Sequence, residues 1–79
     1  MINIIEVKKF PITLAQFLKW CGIAMTGGEA KEIIKCGVVS LNGEMCTMAG
    51  KKLEPGDKIS LPAEDGEITF MVSAALDNE

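Results

Sequence analysis

Two segments of this chain carry the same start and stop signals and confine it to a close pair of short helices. TLAQFLKWCG runs from Thr13 to Gly22, and TGGEAKEIIKCG from Thr26 to Gly37. Each opens on a threonine whose hydroxyl can accept an N–H of the first turn. Each has Gln16 or Glu29 three residues on, where a side chain reaches back to the cap. Each ends on a glycine, which takes the left-handed conformation after a last helical turn without steric cost. Leu14, Phe17, Leu18 and Cys21 recur at helical spacing in the first, and Ala30, Ile33 and Ile34 in the second, giving each one apolar stripe. Ile12 is placed to staple onto Phe17, Ile23 to close on Leu18, and Val38 on Ile33. Only residues 22–25 separate the helices, so they must pack against each other. In a chain of 79 residues, a cap worth ~1 kcal/mol is a large share of the net stability.

Strand signals flank the pair. INIIEV, residues 2–7, is rich in β-branched residues and is closed by Lys8, Lys9 and Pro11. VVSL (38–41) and EMCT (44–47) bracket Asn42-Gly43, the strongest short hairpin signal, since a type I′ turn needs positive φ at both central residues. MAGKKLEPGD reads as a loop with a turn at Pro55-Gly56, followed by the strand KISL (58–61). Asp65-Gly66 marks a further turn. EITFMV (67–72) alternates, with Ile68, Phe70 and Val72 on one face, and can pair with the first strand or with 58–61. Residues 73–79 read as a frayed tail. The order predicts an α+β fold, a helix pair packed on a small, twisted, mostly antiparallel sheet. It also predicts one domain over 1–79.

Composition narrows the function classes. Histidine is absent, and Cys21, Cys36 and Cys46 form no CxxC, so no zinc site and no disulfide framework is expected. Free thiols fit a reducing cytoplasm. No apolar run reaches the ~18 residues of a membrane span, and the N-terminus has no signal-peptide pattern. Ser40, Ser60 and Ser73 have no base in pattern, and Glu64, Asp65 and Glu67 flank a turn as a solubilising rim. No catalytic group, metal site or cofactor is expected.

Charge is unevenly spread. The net charge is −3, but residues 1–61 hold eight lysines against six acids, while residues 62–79 hold five acids and no lysine. Screening over ~8 Å makes the local patch matter more than the total. Gly27, Lys31 and Lys35, spaced by four, form one line down the second helix, headed by a glycine-bare helix start whose N–H groups face outward. Lys19 lies off the apolar face of the first helix. Trp20 stands beside that face and can either stack on a base or pack on a strand. Lys51 and Lys52 share a glycine-led loop. With no arginine, any anion contact is a lysine point charge.

Taken in order, T-L-x-Q-F-L-K-W-x-G-I (13–23), T-G-G-E-A-K-E-I-I (26–34), G-x-V-x-L-N-G-E (37–44) and G-K-K-L-x-P-G-D (50–57) resemble the RNA-binding domain named for the fourth small-subunit ribosomal protein, the alpha-L motif. More narrowly, they resemble the small stand-alone bacterial proteins of that class. The resemblance covers about residues 12–61. It implies non-catalytic binding of structured RNA, ribosomal RNA among the candidates, by the helix pair and the adjoining loop. The positions it carries over are Lys19, Thr26, Gly27, Gly28, Lys31, Lys35, Lys51 and Lys52, with Asn42 and Gly43 serving the turn. About four lysine contacts imply weak, steeply salt-dependent affinity. The rival expectation is a protein-interaction adaptor on the same fold, drawing on Met25, Met45, Met48 and Met71 as an adaptable apolar patch.

Overall fold

A computed structural model describes residues 2–75. In chain order the elements are β1 (Ile2–Val7), β2 (Ile12–Thr13), α1 (Leu14–Trp20), α2 (Gly27–Lys35), β3 (Ser40–Leu41), β4 (Glu44–Met45), β5 (Lys52–Leu53), β6 (Lys58–Ala63) and β7 (Gly66–Ala74). One sheet runs β1-β7-β6-β3-β4, and β2 and β5 pair separately. The fold is α+β, with two helices and a mostly antiparallel sheet. The exception is β1, which lies parallel to β7, Ile2 opposite Thr69 through Val7 opposite Ala74. β7 therefore takes both pairings open to it in the sequence, β1 on one edge and β6 on the other.

The first helix forms as its end signals dictate. Thr13 Oγ1 accepts the Gln16 N–H, and Gln16 Oε1 accepts the Thr13 N–H at 2.9 Å, a complete capping box. At the other end Gly22 has φ +84, and the N–H groups of Gly22 and Ile23 donate to the carbonyls of Lys19 and Leu18. That is the Schellman pattern. The second helix departs from expectation at both ends. Thr26 Oγ1 accepts the Glu29 N–H, but the Glu29 carboxylate bonds the N–H of Met25 at 2.7 Å rather than that of the cap. At its close, Gly37 (φ +78) bonds Ile34, while Val38 stays exposed instead of folding onto Ile33.

Leu14, Phe17 and Leu18 of α1 and Ala30 and Ile34 of α2 meet Val7, Val39, Leu53, Ile59, Leu61, Phe70 and Val72 in one buried cluster. The Phe17 and Phe70 rings meet edge to face with centroids 6.5 Å apart, which sets α1 against the middle of the sheet. The opposite sheet face leaves Ile2 and Ile4 exposed. Two strand expectations are corrected. VVSL and EMCT contribute only two residues each to the ladder, and Ser73 and Ala74, expected in a frayed tail, belong to β7. Ala75 follows the strand, its N–H bonded to the Val7 carbonyl, and residues 76–79 of that expected tail lie outside the described residues.

The hairpin turn is tied into the sheet by its own side chain. Asn42 has φ 53 and Gly43 φ 88, the signature of the primed turn. Asn42 Oδ1 accepts the Lys58 N–H at 3.0 Å, and its Nδ2 donates to Asp57 Oδ1 at 3.1 Å. The other Asp57 oxygen accepts the Glu54 N–H and so holds the Pro55-Gly56 turn. One asparagine and one aspartate thus brace two turns. Asn42→Ala is expected to cost about 2–3 kcal/mol, from two lost hydrogen bonds and a left-handed alanine. Asn42→Gly keeps the turn and should cost about 1–2 kcal/mol. Urea unfolding of both variants measures the difference.

Candidate nucleic-acid interface

The first turn of a helix leaves N–H groups without intrahelical partners. In α1 these are met by a distant loop. Leu14 N–H donates to the Lys51 carbonyl at 2.8 Å and Ala15 N–H to the Ala49 carbonyl at 3.1 Å, while Gln16 N–H goes to Thr13. The loop closes on itself, with Lys51 N–H bonded to the Met48 carbonyl. It continues into β5, where Leu53 pairs with Ile12 and Lys52 with Thr13. Leu53 is buried in the core, so the loop is anchored at its far end.

This clamp creates a groove of about 390 Å³ between the loop and the helix pair. Lys19 of α1, Gly27 and Lys31 of α2, and Ala49 and Gly50 of the loop line it. Lys51 follows Gly50 directly. Three separate segments therefore bring cationic or side-chain-free positions to one concavity. On a helical projection Lys35 lies about 40° from Lys31, one turn further along the same flank, and is not itself a wall of the groove. Glu29 projects about 160° from Lys31, toward the other side of α2, and its carboxylate is held by the Met25 N–H, whereas Glu32 projects about 100° from Lys31 and about 60° from Lys35. Lys52 is exposed on β5 beside the groove, and Thr26 is committed to its cap.

The groove glycines Gly27 and Gly50, and Gly28 next to Gly27, are not required by steric crowding or by a left-handed backbone. A Cβ at Gly27 or Gly50 would meet nothing within 4 Å, and at Gly28 only the Thr26 hydroxyl at 3.9 Å. None of the three has positive φ. Among the described residues, nothing accepts from the N–H groups of Gly27 or Gly28, the first two of α2. The first two N–H groups of the helix are thus left free at the positive end of the dipole, with the Glu29 carboxylate of the same turn bonded back to the Met25 N–H. Glycine here costs helix stability, roughly 0.5–1 kcal/mol against alanine.

Ala49 and Gly50, together with Thr13 and Gln16, also line the groove but were not among the candidates from sequence. The Gly-Lys-Lys run hinted at the loop. Its seat on α1 depends on backbone bonds that leave no trace in side-chain pattern. Asn42 and Gly43 serve the turn. The thiols offer no nucleophile at the groove, since none of its walls is a cysteine. Burial pushes the Cys21 thiol up to about 11, so it stays protonated at neutral pH. Ser60 spends its hydroxyl on Thr69 across the sheet, at 3.1 Å. No described helix is long and apolar enough to cross a membrane.

Residues 5–69 match the family model of the S4 domain. The chain is 36% identical over 61 residues to the probable ribosome maturation protein RlbA of Bacillus subtilis (strain 168), an alignment spanning 77% of this chain and 86% of that relative.

If the groove glycines serve no internal purpose, removing them should strengthen the fold. Gly27→Ala and Gly28→Ala are each expected to raise unfolding free energy by about 0.4–1 kcal/mol in urea titration. A loss of stability would mean that the α2 start requires glycine for its own geometry.

Proposed function

The chain belongs to the S4 domain family, an RNA-binding family, and from that premise we propose that it is a non-catalytic module that seats structured RNA in the groove between α1, α2 and the Ala49–Lys51 loop. In this reading the helix pair and loop act as the alpha-L motif. Lys19, Lys31 and Lys51 take phosphates at the groove, and Lys35 and Lys52 extend the contact on either side. The bare start of α2 admits a phosphate to the N–H groups of Gly27 and Gly28, which any side chain would hold at a distance. The observation that carries the reading is the convergence of three segments on one groove whose glycines neither crowding nor a left-handed backbone requires.

The RlbA name supports a ribosomal RNA, or a precursor of it, as the partner and the cytoplasm as the compartment. Lysines without arginine act as point charges and do not read base edges in bidentate fashion. Recognition then rests on backbone shape, which suits an A-form helix or a compact fold of RNA. A second reading, docking of a protein, draws on the exposed side chains of Met25, Met45 and Met48. Those side chains stand outside the groove, so the two readings are separable.

Binding to a structured RNA should fall about 100-fold between 50 and 200 mM salt, as expected for roughly four phosphate contacts. Lys31→Ala/Lys35→Ala is expected to cost ~1–2 kcal/mol and to reduce the log–log salt slope by about 1.5. Fluorescence anisotropy at four or five salt concentrations reads both quantities. Absence of binding at ~50 mM salt, with the chain folded, would turn the assignment to the protein-docking reading.

A further inference from the structure

A second concavity lies on the other side of α1. It is a slot of about 410 Å³ between α1 and the segment joining β1 to β2, walled by Val7, Pro11, Ile12 and Trp20 and rimmed by Lys8 and Lys9. Its volume falls in the range of small-ligand sites, ~300–1,000 Å³. Trp20 is 57% exposed, so the core does not use most of its ring. Yet the ring is not left loose. Its Nε1–H donates to the Glu6 carbonyl at 3.2 Å, which pins one edge to the end of β1 and satisfies the indole's only donor. A fixed, half-open indole is a stacking platform whose ordering cost is already met by the fold.

We propose that this slot receives one unpaired nucleobase of an RNA whose paired backbone lies in the groove, with Trp20 stacking on the base and Lys8 and Lys9 holding the adjoining phosphate. The proposal rests on the RNA-binding reading above and adds a site to it. Continuity with the groove is built into α1, because Gln16 lines both concavities. Lys19 faces one side of this ridge and Trp20 the other. An RNA strand crossing the ridge at Gln16 passes from one to the other. Charge selects the occupant. An apolar side chain of a protein would fill the walls but has no use for two adjacent ammonium groups. A nucleotide joins a flat apolar face to a phosphate, matching both features of the slot. The same pairing fits a bulge or a loop nucleotide and excludes a base held inside a continuous duplex.

The test uses the full chain and two blunt-ended RNA duplexes of the same sequence, one fully paired and one with a single bulged adenine. Trp20 is the only tryptophan in the sequence, so its emission reports the slot directly. The bulged RNA is expected to quench that emission and to bind about 5- to 150-fold tighter than the paired RNA, the range one stacked base contributes. Trp20→Ala should abolish the gain, and Trp20→Phe should retain part of it with the ring preserved. Lys8→Ala/Lys9→Ala should flatten the salt dependence for the bulged RNA more than for the paired one. Equal affinity for both RNAs with unchanged emission would overturn the slot, leave the groove reading standing and point the slot to a protein side chain. Failure of both RNAs to bind at low salt would remove the two readings together.

Discussion

Everything in the candidate interface depends on how the start of α1 is satisfied. A helix of seven residues has little cooperative stability of its own, and its first N–H groups need acceptors. Thr13 supplies one, and the loop carbonyls of Ala49 and Lys51 supply the others. The bonds that complete the helix are therefore the ones that fix the loop. Because Leu53 is sunk in the core and Lys52 is paired with Thr13, the loop has little freedom to leave. The stabilising contact and the shape of the groove are one feature: the loop carbonyls and the Ala49 methyl face the fold, and the Lys51 side chain stays exposed.

The same economy separates charge that holds the fold from charge that faces outward. Asp57 is spent on the Glu54 N–H and Asn42, and Glu29 on the Met25 N–H. These carboxylates serve turns and caps. Lys19 and Lys31 line the groove, away from Glu29, while Lys35 shares its flank with Glu32 one turn earlier. A chain with net charge −3 can in this way present a cationic groove, since a ligand within a few ångströms responds to the nearest groups and charges beyond ~8 Å, such as distant acids of residues 62–79, are screened. For the proposed RNA contact, the absence of arginine implies lysine point charges, and so a contact responsive to salt and indifferent to base identity.

Much of the fold was legible in the sequence, and the limits fall where backbone pairing over long separations takes over. Thr13, Gln16 and Gly22 act through neighbours within a few residues, so pattern alone placed α1 and both its ends. Asn42-Gly43 set its turn for the same reason. What pattern missed is the two-residue pairing of β2 with β5, which is too short for any periodicity. The extent of β7 was underestimated because Ser73 and Ala74 are weak strand formers held by β1 through tertiary pairing. Glu29 misled because its reach to Met25 or to Thr26 differs by one residue, below the resolution of a motif. In the interface, Lys19, Gly27 and Lys31 were legible as an exposed flank. Their meeting with Gly50 was not, since only the clamp on α1 brings that loop across.

If RNA lies in the groove formed by clamping the Ala49–Lys51 loop onto α1, an amide-resolved NMR titration of the chain with a structured RNA will show it. The largest shifts are expected on Gly27, Gly28, Gly50 and Lys51, with the amides of Ile2 and Ile4 on the far sheet face unmoved. Shifts centred on that far face, with the groove glycines silent, would contradict that placement.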